Sequence, residues 1–352
     1  MKDQPRVMVT GVGGRSVGHQ ILHALLIAGS AYEITAVDAD PFSFGLYQVE
    51  KRYIVPSAGH PGYLDAIIKL IRSGRIQIIL PGTEAELFVL TENREQLADE
   101  GCLLLANPLP VVRICADKRL LATWLAENDF GTPRTVPSER WRELAQTAGF
   151  PLVGKPATNT GGSRHVAILK DEGEVSRYLE ETAGVEILFQ EYMDAAEEEY
   201  TVGVCLDRDG GLIDSIVLQR KLVGLSLGTS REIDGRTFTL STGYSQGFVV
   251  DHPRIRSFCE ELVRRLGMKG PANIQCRLVG GEVKVFEVHP RFSGTTSIRA
   301  DVGFNEPDIL IRNFLFGESF GRIEYRKNVA AIRAFQSCIV PISELATVPR
   351  VS

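Results

Sequence analysis

The sequence predicts an α/β N-terminal domain with a parallel, doubly wound sheet, followed by an α+β region that carries the chemistry. Three observations lead there. Short apolar runs alternate with helical patterns from Arg6 to about residue 107. The pattern changes at Asp117-Lys118, where an amphipathic helix opens. Two strand-like runs flank a Gly-Gly pair within residues 272–289, a hairpin signal.

Composition agrees with a soluble globular chain. Of 352 residues, 44% are hydrophobic and 24% charged, which argues against wholesale disorder. At roughly 100–200 residues per domain, two or three domains are expected. Lys+Arg number 39 against 44 Asp+Glu, a net charge of −5, so no nucleic-acid footprint is expected. No run approaches the ~20 apolar residues that a bilayer span needs. The N-terminus enters a strand pattern almost at once, so no signal peptide is expected. Six scattered cysteines without a C-x-x-C pair fit reduced thiols and a cytoplasmic location.

Along the chain, RVMVT (6–10) reads as a strand, followed by the turn Gly11-Val12-Gly13-Gly14 and the helical HQILHALLIAG. EITAVDAD is a second strand ending at Asp38 and Asp40. RYIVP and IQIILPG are further strands around the helix DAIIKLIRSG; TEAELFVLTENREQLADEG is one more helix and CLLLANP a strand. Such alternation argues for a parallel sheet. The glycine turn has two readings. Gly11 and Gly13 with Asp38 fit a dinucleotide fingerprint and hence an NAD oxidoreductase, but Ser16 stands at the third glycine position. Alternatively the glycines only make a tight turn, which suits the rest of the chain better. His19 and His23 share a helix face but lack a third metal ligand. Gly149–Lys155 matches G-x-x-x-x-G-K, yet Pro156 replaces the Ser/Thr that a P-loop requires.

From Asp117 onward the candidates accumulate. The strand Pro151–Pro156 delivers Lys155, and Thr160–His165 follows as a glycine loop suited to phosphate oxygens. Ile187–Met193 is an apolar strand running into Gln190-Glu191-Tyr192, suited to an adenine edge, with Glu199 beyond it for a ribose hydroxyl. In the hairpin, a three-residue loop Val279–Gly281 with one glycine in αL is predicted. It pairs Gln275 with Val285 and sets Asn273 opposite Glu287. Gln275 and Glu287 then converge as oxygen ligands for magnesium. Glu287, His289 and Arg291 alternate, with Ile274, Cys276, Phe286 and Val288 on the other face. Arg220, Lys221, Arg231 and Arg299, with Ser293, are candidates to border an acceptor pocket. Residues Leu222 to Gly243 read as a loop or hairpin over it.

Together these residues resemble the ATP-grasp superfamily, and within it one ATP-binding half of the carbamoyl-phosphate synthase large subunit. The resemblance covers roughly residues 6–320. It implies a Rossmann-like pre-ATP-grasp domain (1–113), a small lobe or lid (114–190), a large lobe with the metal and substrate site (191–340) and a tail (341–352) of no readable pattern. It also implies roles: Lys118 and Lys155 on the α- and β-phosphates, and Gly161, Gly162 and Ser163 as the loop over them. Gln190, Glu191, Tyr192 and Met193 would contact adenine, Glu199 the ribose, and Gly224 and Leu225 the nucleotide pocket. Gln275 and Glu287 would bind metal, and Arg291 would steady the transferring phosphoryl group. One departure stands out: Glu287-Val288-His289-Pro290-Arg291 has His where the family has Asn. Imidazole suits magnesium poorly, so His289 is left as a metal ligand, with manganese tolerated, or as a contact to phosphate or substrate. The implied activity is an ATP- and Mg2+-dependent carboxylate–amine ligase acting on small molecules through an acyl phosphate. A homodimer is common among relatives. An NAD oxidoreductase and a non-catalytic nucleotide-binding regulator are the alternatives. With one ATP-grasp unit, carbamoyl phosphate synthesis by this chain alone is not expected.

Overall fold

Strands β1 (Arg6–Thr10), β2 (Glu33–Asp38), β3 (Lys51–Ile54), β4 (Ile78–Leu80) and β5 (Leu103–Leu104) pair in parallel, in the order β3-β2-β1-β4-β5. The computed structural model describes residues 4–158, 165–194, 198–222, 228–241 and 245–352. Helices α1 (Val17–Leu26), α2 (Tyr63–Gly74), α3 (Glu84–Glu92) and α4 (Arg94–Asp99) cross between the strands. This is the doubly wound order, with its switch point between β1 and β4. The single helix expected over Thr83–Gly101 is two, because Asn93 ends α3 and starts α4. Ser16 caps α1 through His19 N. Thr83 caps α3: its Oγ1 accepts from Glu86 N at 3.2 Å and donates to Glu86 Oε2 at 2.8 Å.

Those two helix starts explain the glycine turn. A Cβ on Gly11, which has φ +57°, would sit 2.5 Å from Glu86 Oε2, and one on Gly18 would sit 2.3 Å from the Thr10 carbonyl oxygen. The glycines let α1 and α3 close onto the end of β1, with no dinucleotide needed to account for them.

After α5 (Leu109–Ala116) and α6 (Lys118–Glu127) comes an antiparallel sheet of β6 (Thr135–Pro137), β7 (Leu152–Pro156), β8 (Ala167–Leu169) and β9 (Ile187–Glu191), ordered β6-β9-β7-β8. Helices α7 (Trp141–Ala148) and α8 (Glu172–Glu181) bury Trp141, Leu144, Val175 and Tyr178 against it.

The next strands are β10 (Glu199–Leu206), β11 (Leu212–Arg220), the separate hairpin β12 (Gly228–Ile233) and β13 (Arg236–Ser241), β14 (Gly247–Val250), β15 (Gly270–Val279), β16 (Glu282–His289) and β17 (Val329–Ala331). Six of them form one sheet, β16-β15-β10-β11-β14-β17. Helix α9 (Pro253–Arg265) covers the apolar face through Ile255, Cys259 and Leu262, against Val202, Ile274 and Cys276. Helices α10 (Thr296–Asp301) and α11 (Glu306–Phe316) lie toward the N-terminal domain and contact α1.

The β15–β16 hairpin differs from expectation. Gly280 and Gly281 both take positive φ, +57° and +80°, and form a two-residue loop with Val279 opposite Glu282. Two adjacent glycines make that primed turn accessible, which a single αL position would not. The register then slips at Phe286: Cys276 faces Val285, but Gln275 faces Glu287 and Asn273 faces His289. One extra residue in β16 thus reverses its facing. Gln275 and Glu287 do converge, by a bulge and not by the loop.

The tail also carries structure. Helix α12 (Ile342–Thr347) precedes a return to the N-terminal sheet, where Ile54 N donates to Pro349 O at 2.8 Å and Val351 N to Ile54 O at 2.9 Å. Among the described residues, no helix is long and apolar enough to cross a membrane.

Candidate active site

The site is built on the polar face of the six-stranded sheet. Alternation sends Tyr200 and Val202 of β10, and Ile274 and Cys276 of β15, into the core. Their neighbours Glu199, Thr201, Asn273, Gln275 and Arg277 face the other way and line a cavity of about 950 Å3. Lys155 and Gln190 of the four-stranded sheet, Lys118 at the start of α6, and Glu287, His289 and Arg291 line the same cavity. One end is apolar, with Val153, Val166, Met193, Leu240 and Phe286. The other end reaches the switch point of the N-terminal sheet, through Arg15, Ser16, Val17, Gly82, Thr83 and Glu84.

Lys155 is buried and donates to Gln190 Oε1 at 3.0 Å; Gln190 Nε2 in turn donates to Thr135 Oγ1 at 2.7 Å. Burial and the neighbouring Lys118 ammonium lower its pKa to about 8, against the pull of Glu287. Burial also lowers the pKa of Lys118, opposed by Glu287 and Glu84. Burial raises the pKa of Glu287, but His289 and Lys118 outweigh it and leave the value at about 2. Lys118, Lys155 and the firmly ionised Glu287 carboxylate therefore face a single cavity.

His289 lies between two carboxylates. Its Nε2 is 3.3 Å from Glu287 Oε2 and its Nδ1 is 3.6 Å from Glu84 Oε1. Burial disfavours the charged ring, yet Glu287 and Glu84 raise its pKa overall, despite Arg291. An imidazolium has no lone pair to offer a metal. The charged ring donates toward the two carboxylates, whereas a contact to the Gln275 amide nitrogen needs the neutral tautomer with Nε2 accepting, so the metal-ligand reading and the phosphate or substrate reading of His289 both stand. Gln275 Oε1 accepts from Arg220 NH1 at 2.9 Å, while its Nε2 meets His289 Nε2 at 3.2 Å. The amide oxygen keeps one lone pair. Among the described residues no group of three His, Cys, Asp or Glu forms a ready metal cage. One carboxylate and one amide oxygen suit magnesium, which keeps water and phosphate oxygens in its shell.

Several expected residues are engaged by partners within the protein. Glu199 is fully buried; its Oε1 accepts from Arg220 NH1 at 2.7 Å and its Oε2 from Arg277 Nε at 2.9 Å. Each oxygen thus holds one arginine, so Glu199 braces the floor while still lining the cavity where a ribose contact is expected. Arg220, expected at the acceptor, is buried behind Gln275 and holds it. Arg299 is likewise buried, donating to Glu306 Oε1 at 2.8 Å and Asn273 Oδ1 at 2.6 Å. Gly203 makes room for that pair, since a Cβ there would lie 2.2 Å from Arg299 NH1. Arg231 leaves the cavity altogether; it donates to Glu174 Oε2 at 2.6 Å and Ile168 O at 2.7 Å, tying β12 to the small sheet. Ser293 does line the cavity, its hydroxyl 2.7 Å from Thr295 Oγ1. Thr160, Gly161, Gly162, Ser163, Gly224 and Leu225 lie outside the described residues.

Arg277 and Glu84 are among the residues that sequence reasoning missed. Arg277 joins the floor to the segment between the sheets: NH1 donates to Met193 O at 2.6 Å and NH2 to Thr239 O at 2.9 Å. Its place two residues after Gln275, on the same strand face, was the available signal. Glu84 comes from the N-terminal domain and accepts from Arg291 NH2 at 2.8 Å. Burial raises its pKa, but His289 and Arg291 hold it well below the usual carboxylate range. The cap at Thr83 marked the helix start that aims it.

Two family models match this chain: "PylC-like, N-terminal domain" over residues 7–105, and "ATP-grasp in the biosynthetic pathway with Ter operon" over residues 184–337. The carbamoyl phosphate synthase large chain of Thermus thermophilus is 25% identical over 312 residues, covering 83% of this chain and 28% of the relative. The chain thus spans little more than a quarter of that relative's length. Among solved structures, N5-carboxyaminoimidazole synthetase from Staphylococcus aureus complexed with ADP is similar at a TM-score of 0.66 and 10% identity, over 92% of this chain and 81% of that one. L-amino acid ligase from Bacillus licheniformis gives 0.65 and 16%, over 90% and 75%. At these identities the likeness is one of fold.

Proposed function

The chain is built on the ATP-grasp fold, and on that premise we propose that it is an ATP-dependent ligase joining a carboxylate to an amine through an acyl phosphate. The observation that carries this reading is the ionised Glu287 carboxylate sharing one cavity with the Lys118 and Lys155 ammonium groups. The apolar end, from Val153 to Phe286, suits adenine, with Gln190–Met193 beside it. Lys118 and Lys155 then meet the phosphates, and Arg291 lies past them toward the N-terminal domain. Glu287 and Gln275 would hold a magnesium ion, which would supply positive charge to offset that of the phosphates.

The carboxylate oxygen of the acceptor attacks the γ-phosphorus, ADP leaves, and the amine then attacks the acyl carbon, releasing phosphate and a proton. Positioning and charge neutralisation dominate such transfer. Lys118 and Lys155 neutralise phosphate charge, and Arg291 does so on the moving phosphoryl group once a new anion competes with Glu84 for it. The acceptor end is proposed at the switch point, where Arg15, Thr83, Ser293 and Thr295 line the cavity. Ligands of doubly wound sheets bind at such points. A screen of carboxylate–amine pairs for ATP-dependent phosphate release tests the proposal. Release that needs both partners supports it; binding of NADH in place of ADP overturns it.

Lys155 supplies a pH prediction. Its ammonium is charged below about 8 and neutral above. ADP affinity, measured by titration from neutral to alkaline pH, is expected to fall through that value, by up to about tenfold per pH unit for one proton. Lys155→Arg stays charged and is expected to flatten the profile.

A further inference from the structure

Beyond β17 the chain runs from Ile332 to Pro341 without a turn or bend, and residues 334–339 are all exposed. Among the described residues, no backbone hydrogen bond joins residues 334–340 to another segment. Phe335, Ile339 and Ile342 project into solvent, Ile339 at 94% exposure. No charged residue occurs from Ala334 to Ser343, in a chain that is 24% charged. The strand feeding this stretch, β17, is the end strand of the six-stranded sheet and, among the described residues, pairs only with β14.

Free strand edges are ordinarily protected by charges, prolines or bulges, because an unprotected one templates pairing with another chain. Here the one proline, Pro341, stands at the far end of the stretch. We propose that residues 334–340 pair antiparallel with the same residues of a second copy of this chain, about a two-fold axis at Ser337. A two-fold contact requires a surface complementary to itself. A charge-free strand can lie against its own reverse with no like charges opposed. With the axis at Ser337, Phe335 faces Ile339 of the second copy, and both such pairs fall on one face. A partner of complementary charge is disfavoured, since the stretch has no charge to complement. The proposal is independent of the reading of the cleft.

The test is sedimentation of the full chain across a dilution series. The wild type is expected to be dimeric. Phe335→Glu with Ile339→Glu is expected to be monomeric, with unchanged far-UV circular dichroism and an unchanged ADP-induced thermal shift. In this register the two Cys338 side chains are diagonal neighbours at about 7–8 Å. Cys338 is exposed and the other five cysteines are buried. A short bismaleimide is therefore expected to cross-link the wild type and not Cys338→Ser. A wild type that sediments as a monomer throughout overturns the proposal. So does a dimer that the double variant retains and the reagent does not link, since another surface then holds the copies together.

Discussion

Glu287→Gln is expected to lower ATP-dependent phosphate release by at least roughly 10³-fold, because metal stabilisation of a transition state is worth several kcal/mol and each 1.36 kcal/mol is tenfold. The carboxylate acts on both Lys118 and Lys155, and its pKa near 2 keeps it charged across the physiological range. Glutamine preserves its volume and an acceptor for His289, but not its charge. The apolar face of β16 is untouched, as Val285 and Val288 remain in the core. The thermal midpoint should therefore move by only a few degrees, and metal-free ADP should bind within about tenfold of the wild type. Normal turnover by this variant would remove Glu287 from the metal site and, with it, the main support for the ligase reading.

The N-terminal domain was legible because its signals are local. Apolar runs of strand length separated by helical periodicity need no long-range information, and the sheet order matches the doubly wound expectation. The hairpin was half legible. Two glycines announced the turn, but its length depended on both taking positive φ, and the slip at Phe286 depends on packing. Sequence spacing cannot register an extra residue that the partner strand absorbs. The arginines were the least legible. Arg220, Arg231 and Arg299 read as one basic cluster, yet each is claimed by a separate acid, Glu199, Glu174 and Glu306. Glu174 and Glu199 are 57 and 21 residues from their partners, separations that no local pattern encodes. Conversely, Arg15 and Glu84, the charged residues that the N-terminal domain brings to the cavity, lie in a turn and at a helix start, where no local pattern marks a site residue.

Glu199→Ala is expected to produce the largest loss of stability, and it separates two roles for this acid. A carboxylate that holds a ribose would leave the fold intact when removed and weaken ADP binding. The geometry calls for the reverse. Glu199 is wholly buried and is the carboxylate shared by Arg220 and Arg277, at 2.7 and 2.9 Å. Arginine cannot discharge by losing its proton, so removing the acid leaves two buried cations without their anion. Breaking a buried pair costs about 3–5 kcal/mol. At roughly 2–4 °C per kcal/mol for a domain of this size, the midpoint without nucleotide should drop by about 6–20 °C. Glu199→Gln keeps both acceptor contacts in part and should fall between. Some loss of ADP affinity should follow even so, because Arg277 also holds the Met193 carbonyl beside the adenine end. The order of effects is the discriminator: a midpoint unchanged in scanning calorimetry, with ADP binding alone impaired, would return Glu199 to the nucleotide and leave the two arginines balanced by something other than this acid.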